Sequence, residues 1–328
     1  MADDGSAAAA DPVTPMRVAF LGNARWSVPS LDALASSPHR PVLVATREPR
    51  PAGRGSKLRP TPVADAARRL ELFLREVATV KSGPGFDALA AAEPEVLVVV
   101  AYGEILPRAV LDLPAVMPVN LHFSLLPELR GAAPVQRALL EGLTATGVTT
   151  IRMDEGMDTG PILLQATETI DPADDAGSLG DRLAVIGGRL LVDTLDRLEG
   201  GNLEERPQDG ALATFAPKLK PEDEVIDWSE PAEAIVRRVR ALSPEPGART
   251  TFRARRLKVH RASGVNDGFE PCHSRPAGTV VAASRDALVV ATGRGSLALE
   301  EVQLEGKRRL SGPEFARGHR VEAGERLG

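Results

Sequence analysis

The chain has 328 residues, which is enough for two compact units that each bury a hydrophobic core. Its composition, with 43% hydrophobic and 26% charged residues, excludes a fibrous or wholly disordered protein. The single cysteine excludes an internal disulfide and a thiolate-rich metal site, and no apolar run approaches the roughly 18 residues that a membrane span needs. We therefore expect a cytoplasmic protein without a membrane partner, and we expect it to be a monomer.

The net charge of −5 hides a difference between the two parts of the chain. Residues 1–216 hold 20 Lys and Arg against 29 Asp and Glu, a net −9, whereas residues 217–328 hold 20 against 16, a net +4. A basic unit on an acidic protein favours a polyanion as the partner of that unit. The alternative is an ordinary solvated surface that is rich in arginine.

The first 200 residues predict a tail followed by an α/β unit. Residues 1–15 are polar and alanine-rich and lack the features of a secretory signal, so we predict a disordered tail. From residue 16 to residue 200, short apolar strands separated by helices predict a Rossmann-like, doubly wound, mostly parallel sheet, with ligands at the carboxyl ends of its strands. The predicted strands are Met16–Leu21, Val42–Thr46, Val96–Val100 and Val119–His122, and the predicted helices are Pro29–Ala35, Leu106–Leu113 and Leu179–Leu198.

The pattern changes after residue 200. A polar stretch with adjacent glycines predicts a linker over residues 201–216. Residues 217–328 then predict a smaller OB-like β-barrel, since one helix precedes several short strands with turns between them. The helix is Ala232–Leu242, and the strands are Thr250–Arg253, Leu257–Ala262, Thr279–Ala283, Leu288–Ala291 and Leu297–Gln303.

A dense polar group stands where one predicted strand runs out into a loop. Because side chains alternate along a strand, Asn120 and His122 point to the same side of it. Acyl transfer to an amine requires stabilisation of an oxyanion and removal of a proton, and an amide donor beside an imidazole suits both tasks. The alternative is a structural histidine at the end of a strand.

The loop after the predicted strand Val148–Ile151 offers a carboxylate as the third group. Asp154, Glu155 and Asp158 lie on this loop, and spacing alone does not choose between them. A carboxylate there would orient the imidazole and hold a proton-relaying water; the alternative is a solvated acidic turn. The chain has no G-x-S-x-G, H-E-x-x-H or phosphate-binding loop motif, so we expect neither a serine nucleophile nor a metal.

Five basic residues follow the second predicted strand, namely Arg47, Arg50, Arg54, Lys57 and Arg59. The prolines and glycines between them predict an exposed loop without regular structure. Such a loop can grip nucleic-acid phosphates and become ordered on contact. The alternative is a surface loop that touches nothing.

Taken together, these segments resemble the methionyl-tRNA formyltransferase family, from about Met16 onwards. The resemblance is carried by Arg17–Gly22, Val28–Leu31, Pro51–Leu58, Val99–Gly103, Asn120–Pro127, Arg130–Gln136, Asp158–Pro161, Phe215–Leu219, Ile226–Trp228 and Leu304–Arg309. The chain departs from the family where Asn23–Ser27 replaces the usual Thr-Pro-Glu-Phe-Ala, and where Phe123 replaces a common Gly or Pro.

The resemblance implies transfer of the formyl group of 10-formyltetrahydrofolate to the free amino group of initiator methionyl-tRNA, with tetrahydrofolate as product and no metal. It implies direct attack by the amine, and it chooses Asp158 as the carboxylate that acts with Asn120 and His122. It also implies a folate site and a tRNA site. The folate site would be lined by Ser124, Leu125, Leu126, Pro127, Tyr102 and Gly103, and tRNA would be contacted by Arg50, Arg54, Lys57 and Lys218.

Three other functions fit part of the sequence. Glycinamide ribonucleotide formyltransferases share the Asn-His-Asp chemistry but resemble only the first unit, whereas some sugar-amine formyltransferases also carry a C-terminal barrel. The basic loop and Ala216–Leu219 favour tRNA as the acceptor. Outside enzymes, the alternative is a catalytically silent folate-binding or RNA-binding protein, and retention of the three catalytic residues argues against it.

Overall fold

The computed structural model describes residues 15–52, 57–265 and 275–328. The predicted disordered tail over residues 1–15 lies outside these ranges, apart from Pro15. Within the described ranges, no helix is both long and apolar enough to cross a membrane. In the same ranges, no three His, Cys, Asp or Glu side chains are grouped as a metal ion would require.

The first unit is built around a sheet that is mostly parallel. The strands of this unit are, in chain order, β1 (Val18–Gly22), β2 (Leu43–Arg47), β3 (Arg50–Ala52), β4 (Lys57–Arg59), β5 (Leu74–Val77), β6 (Val96–Val100), β7 (Met117–His122), β8 (Ala145–Arg152) and β9 (Ile162–Thr169). The sheet has the order β5-β2-β1-β6-β7-β8-β9. Strands β5, β2, β1, β6 and β7 run parallel to one another. Strand β8 is antiparallel to β7, and β9 is antiparallel to β8.

Helices cover both faces of this sheet. They are α1 (Val28–Ala35), α2 (Pro62–Arg69), α3 (Gly83–Ala91), α4 (Arg108–Leu111), α5 (Pro134–Glu141) and α6 (Ala176–Glu199). Phe20 of β1 belongs to the core under α1 and α6, and its neighbour Leu21 belongs to the core under α3 and α4. The predicted α/β fold class is confirmed. The predicted helix at Leu106–Leu113 is shorter, because Pro107 precedes its first residue and Pro114 follows the predicted end.

The basic segment after β2 is more regular than predicted. β3 and β4 pair as an antiparallel hairpin in which Pro51 stands opposite Leu58. The prediction of a loop without regular structure is therefore wrong for these residues. A two-stranded hairpin has a free edge on each strand, so it tolerates a proline that has no N–H to donate.

The second unit is a small antiparallel barrel, as predicted. It contains α7 (Ala232–Leu242), β10 (Ala248–Phe252), β11 (Arg255–Val265), β12 (Val280–Ala283), β13 (Leu288–Ala291), β14 (Ser296–Leu304), β15 (Leu310–Ser311) and α8 (Gly312–His319). The sheet order is β10-β11-β14-β13-β12, and β15 pairs with β14. The last residues bridge the two edges, since Val280 N donates to Glu325 O at 2.7 Å and Gly328 N donates to Thr251 O at 3.1 Å. Trp228 is buried in the core of this barrel.

Residues 201–216 run along the first unit. Ile162 and Arg206 exchange backbone hydrogen bonds of 2.8 and 2.9 Å, and Ala216 N donates to Arg130 O at 2.7 Å. The predicted linker is thus a bound segment that leads from α6 to the barrel. The predicted limits of the two domains stay predictions.

The carboxylate of Asp174 is buried beside the contact between the two units. Arg240 of α7 donates to the backbone carbonyl of Asp174 at 2.6 Å. Arg182 of α6 donates to the two carboxylate oxygens at 2.9 and 2.7 Å, and Ser178 Oγ donates to one of them at 2.7 Å. The hydrogen bonds from Arg182 are the main cause that lowers the pKa of Asp174 to about 2 from 3.8.

We expect Asp174→Asn to lower the free energy of unfolding at pH 7 by about 2 kcal/mol, because this is the stabilisation that corresponds to a carboxyl pKa lowered by nearly two units on folding. Because the folded-state pKa is the lower one, this stability is present above about pH 4 and is lost as the pH falls towards 2. Urea unfolding at pH 7 and pH 3 measures it. Asp193→Asn is the control, because the side chain of this α6 residue is half exposed and its ion pair with Arg197 is screened by solvent. An Asp174→Asn deficit that did not shrink on acidification would contradict the explanation.

Candidate active site

Strand β7 carries Asn120 and His122 to the same side of the sheet. Asn120 stands opposite Val99 of the parallel strand β6. Both polar side chains line one cavity near the carboxyl ends of these strands. Asn120 is half-buried, and its side-chain amide donates no hydrogen bond to another residue in the described part of the chain. Its N–H groups are therefore available to an oxygen atom in the cavity.

The orientation of His122 is fixed by a backbone carbonyl. The ring is buried, and its Nε2 lies 2.9 Å from Leu129 O. A carbonyl oxygen only accepts, so Nε2 carries the hydrogen of this bond. The other nitrogen, Nδ1, faces Asp158 Oδ2 at 3.6 Å. This distance is too long for a direct hydrogen bond, but it is short enough for the carboxylate to stabilise a positive charge on the ring.

Asp158 is the carboxylate of the loop after β8 that faces the imidazole. Its Oδ2 accepts from Gly131 N at 2.8 Å, and its side chain is 17% exposed. Asp154 also lines the cavity, but its Oδ1 accepts from Gly156 N at 3.0 Å and Thr159 Oγ1 at 2.7 Å. The geometry thus gives Asp158 the position beside His122 and gives Asp154 a role within its own turn.

The cavity has a volume of about 460 Å³. Small-molecule sites in proteins usually measure about 300–1,000 Å³ and combine apolar walls with a few polar groups. Leu106, Phe123 and Met153 supply apolar wall, and the predicted folate residues Tyr102 and Gly103 also line it. The cavity therefore suits an organic molecule of substantial size.

Asn23 holds the wall of the cavity in place. Its Nδ2 donates to Tyr102 O, and its Oδ1 accepts from Thr46 Oγ1 at 2.9 Å and Arg47 N at 2.8 Å. One side chain thus connects the ends of β1, β2 and β6. Burial, with the nearby Glu104 carboxylate, raises the pKa of the Tyr102 hydroxyl to about 12. A polar residue directly after a buried strand is the signal that could have identified Asn23.

The other predicted folate residues, Ser124, Leu125, Leu126 and Pro127, are not among those that line the cavity. Ser124 Oγ donates to Glu128 O at 2.6 Å, and Leu126 N donates to Thr149 Oγ1 at 3.1 Å. These bonds shape the turn that carries Leu129 O back to His122. A direct contact of the four residues with folate stays a prediction.

Two of the departures from the family pattern contact each other. The rings of Trp26 and Phe123 lie 6.0 Å apart, and Trp26 Nε1 donates to Asp181 of α6 at 2.9 Å. Phe123 is buried and lines the cavity. The enlarged side chain at position 123 is therefore packed by an aromatic neighbour on the α6 side.

The predicted tRNA residues are spread over two segments. Arg50 on β3 and Lys218 after the linker are both exposed. Arg54 lies outside the described residues, and of Lys57 only the backbone, in β4, is described. The exposed residues lie outside the lining of the cavity. Their contact with tRNA stays a prediction.

The formyl transferase family matches residues 16–195, and the formyl transferase C-terminal domain matches residues 218–320. With the site on the first unit, this defines a two-part formyltransferase. Methionyl-tRNA formyltransferases of Aromatoleum aromaticum and Pelotomaculum thermopropionicum are each 44% identical over 313 residues, covering 95% of this chain and 97% and 99% of the relatives. The chain belongs to the methionyl-tRNA formyltransferase family.

Solved structures with low sequence identity share the fold. HypX from Aquifex aeolicus superposes with a TM-score of 0.63 at 17% identity, covering 95% of this chain and 48% of that one. An N-formyltransferase from Helicobacter canadensis, in complex with folinic acid and dTDP-3-aminofucose, gives a TM-score of 0.62 at 15% identity, covering 87% and 98%. At these identities the likeness speaks for the architecture alone.

Proposed function

We propose that the chain transfers the formyl group of 10-formyltetrahydrofolate to the free amino group of initiator methionyl-tRNA. The products are N-formylmethionyl-tRNA and tetrahydrofolate. The observation that carries this proposal is that Asn120, His122 and Asp158 meet at one cavity in a chain of this family. The C-terminal unit, with its net charge of +4 over residues 217–328, supports a polyanionic acceptor.

The cavity provides the kind of site that a folate requires. Its volume of about 460 Å³ and its apolar walls suit a flat pterin ring, and the backbone at Tyr102 and Gly103 offers polar groups to the ring edge. The bonds from Asn23 hold this backbone in place. Folate brings an already activated formyl group, so the protein has to position it and does not need a covalent nucleophile.

Asn120 is the donor that stabilises charge on the formyl oxygen. When the amine attacks the formyl carbon, negative charge develops on the oxygen, and a fixed N–H donor is most effective there if it is not already engaged. The side-chain amide of Asn120 lines the cavity and has no hydrogen-bond partner among the described residues. It can therefore donate to that oxygen without first breaking another bond.

His122 and Asp158 move the proton. The attacking nitrogen loses a proton as the new carbon–nitrogen bond forms, and the folate nitrogen gains one as the old bond breaks. His122 Nε2 is committed to Leu129 O, so Nδ1 is the atom that takes the proton. Asp158 Oδ2, 3.6 Å from Nδ1, stabilises the charged ring and holds a relaying water.

The tRNA is bound by basic residues outside the cavity, with Arg50, Arg54, Lys57 and Lys218 as the proposed contacts. The exposed positions of Arg50 and Lys218 suit contact with phosphates of a large acceptor. We infer that the protein works as a monomer in the cytoplasm, where aminoacylated tRNA and folates are both present, and that it has no membrane partner.

An assay with competing acceptors tests the function. Purified protein is incubated with 10-formyltetrahydrofolate and either initiator methionyl-tRNA or an amino sugar nucleotide, and the formylated product is measured. We expect product with the tRNA only. Formylation of the sugar alone would reject the proposed acceptor. Consumption of 10-formyltetrahydrofolate without any formylated amine would reject the transfer itself.

We expect Lys218→Ala to raise the KM for methionyl-tRNA several-fold with little change in kcat. A lost phosphate contact weakens binding of all tRNA sequences and lowers the slope of log KM against log salt by about one. Initial rates at several KCl concentrations measure both effects. Lys81→Ala, which removes an exposed lysine of the first unit, is the matched control. An equal rise of the KM for methionyl-tRNA in both variants would contradict a contact at Lys218.

A further inference from the structure

Gln208 connects the two segments that hold His122 and Asp158. Its Nε2 donates to the backbone carbonyls of Asp158 at 2.8 Å and Gly160 at 2.7 Å. Its Oε1 accepts from Nε and a terminal nitrogen of Arg130 at 3.1 and 2.7 Å. Both hydrogens and both lone pairs of the amide are therefore used.

Arg130 belongs to the segment that orients both proposed proton-transfer groups. Its predecessor, Leu129, accepts from His122 Nε2, and its successor, Gly131, donates to Asp158 Oδ2 at 2.8 Å. Arg130 is buried, with 8% of the residue exposed. Buried Arg130 thus fixes the amide of Gln208, and that amide in turn holds the backbone of Asp158.

Asp158 needs support from outside its own loop. Its φ of +57° lies in the left-handed region, which costs a residue with a side chain about 1–2 kcal/mol. The bond from Gln208 to the carbonyl of this residue, together with the bond from Gly131 to its carboxylate, holds it from two directions. Without the first bond, the backbone can relax and turn the carboxylate away from the imidazole.

We infer that Gln208 is a positioning residue for formyl transfer, which sets the distance between Asp158 and His122. The inference rests on the proposed function. Gln208 is half-buried and does not line the cavity, so it acts through Asp158 and touches no substrate. Because it lies on residues 201–216, the segment that leads to the barrel is part of the support of the catalytic carboxylate.

The kinetic test uses Gln208→Leu, which keeps the bulk of the side chain and removes the amide. We expect kcat to fall about 10–100-fold, since misplacement of a catalytic group by about 1 Å is worth up to that factor, while the KM values for both substrates change less than twofold. Asp209→Asn is the control, because the side chain of this next residue accepts from Ala211 N and contacts neither Asp158 nor Arg130 in the hydrogen bonds of the described residues. An unchanged kcat, or a loss that appears only in KM, would overturn the inference.

A double substitution separates positioning from general damage. If Gln208 acts through Asp158, then adding Gln208→Leu to Asp158→Asn causes no further loss of kcat beyond about twofold. If the two losses multiply, Gln208 acts elsewhere and the inference is wrong. Thermal unfolding of each variant is measured alongside, so that a loss of folded protein is recognised.

Amide hydrogen exchange at Gly131 tests the support without any turnover. The Gly131 N–H donates to Asp158, so we expect its exchange to accelerate at least tenfold in Gln208→Leu and to stay unchanged in Asp209→Asn. Unchanged exchange at Gly131 in Gln208→Leu would overturn the positioning role. Accelerated exchange in a protein that formylates no methionyl-tRNA would instead retain the support of Asp158 and reject the proposed function.

Discussion

Replacing His122 with Ala is expected to lower kcat by about 10²–10⁴-fold, the range of a general base that is removed from its site. In the proposed mechanism the ring nitrogen Nδ1 takes the proton of the attacking amine, and no other imidazole lines the cavity in the described part of the chain. The Kd for folate should change less than threefold. Initial-rate kinetics with methionyl-tRNA and equilibrium binding of tetrahydrofolate provide the two measurements.

A second substitution controls for the structural bond that the ring makes. His122→Ala also removes the hydrogen bond to Leu129 O, and an unpaired buried carbonyl costs about 1–3 kcal/mol. His122→Gln can restore a donor to that carbonyl without restoring a base. We expect it to be more stable than His122→Ala and equally slow. If His122→Gln recovered most of the turnover, the imidazole would be a structural donor and the assigned base would be wrong.

Asn120→Asp is expected to lower kcat by about 10²–10³-fold or more, because loss of one donor to a developing oxyanion has that effect. The substitution keeps the shape of the side chain but puts acceptors, and at neutral pH a negative charge, where a donor is needed. KM for either substrate should change little, since the interaction strengthens in the transition state. Single-turnover measurements with preformed folate complex isolate this step from product release.

The exposed Asn202, after α6, provides the matched control for that change. Asn202→Asp alters the net charge of the protein by the same amount at a residue that does not line the cavity, and its kcat should equal that of the unmodified protein. If Asn120→Asp raised KM for folate and left kcat intact, Asn120 would bind the ground state and would not be the donor to the oxyanion.

Much of the fold could be predicted because the apolar runs are clearly bounded. The run Val96–Val100 is β6, and Ala232–Leu242 is α7, as their patterns predicted. The edge strand β5 was not predicted, because Leu74–Val77 carries two charged residues and has one buried side chain. The hairpin of β3 and β4 was predicted wrongly, since proline and glycine indicate a turn but not whether its arms pair.

The site was predictable to the extent that it lies along one strand. Alternation places Asn120 and His122 together, whereas the choice of Asp158 came from the resemblance, because spacing does not show how a loop turns. The supports Asn23 and Gln208 were not predicted as such. Gln208 bonds Arg130, 78 residues away, and Asn23 bonds Tyr102, 79 residues away, so only the folded chain brings these partners together.

The two tryptophans of the chain are divided between the two hydrophobic cores. Trp26 packs against the core of the first unit, next to the cavity-lining Phe123, and Trp228 is buried in the barrel. Indole emission therefore contains one signal from each unit. A Trp228→Phe protein reports on the first unit and a Trp26→Phe protein on the second, so the order in which the two halves melt can be followed by fluorescence without attaching a dye.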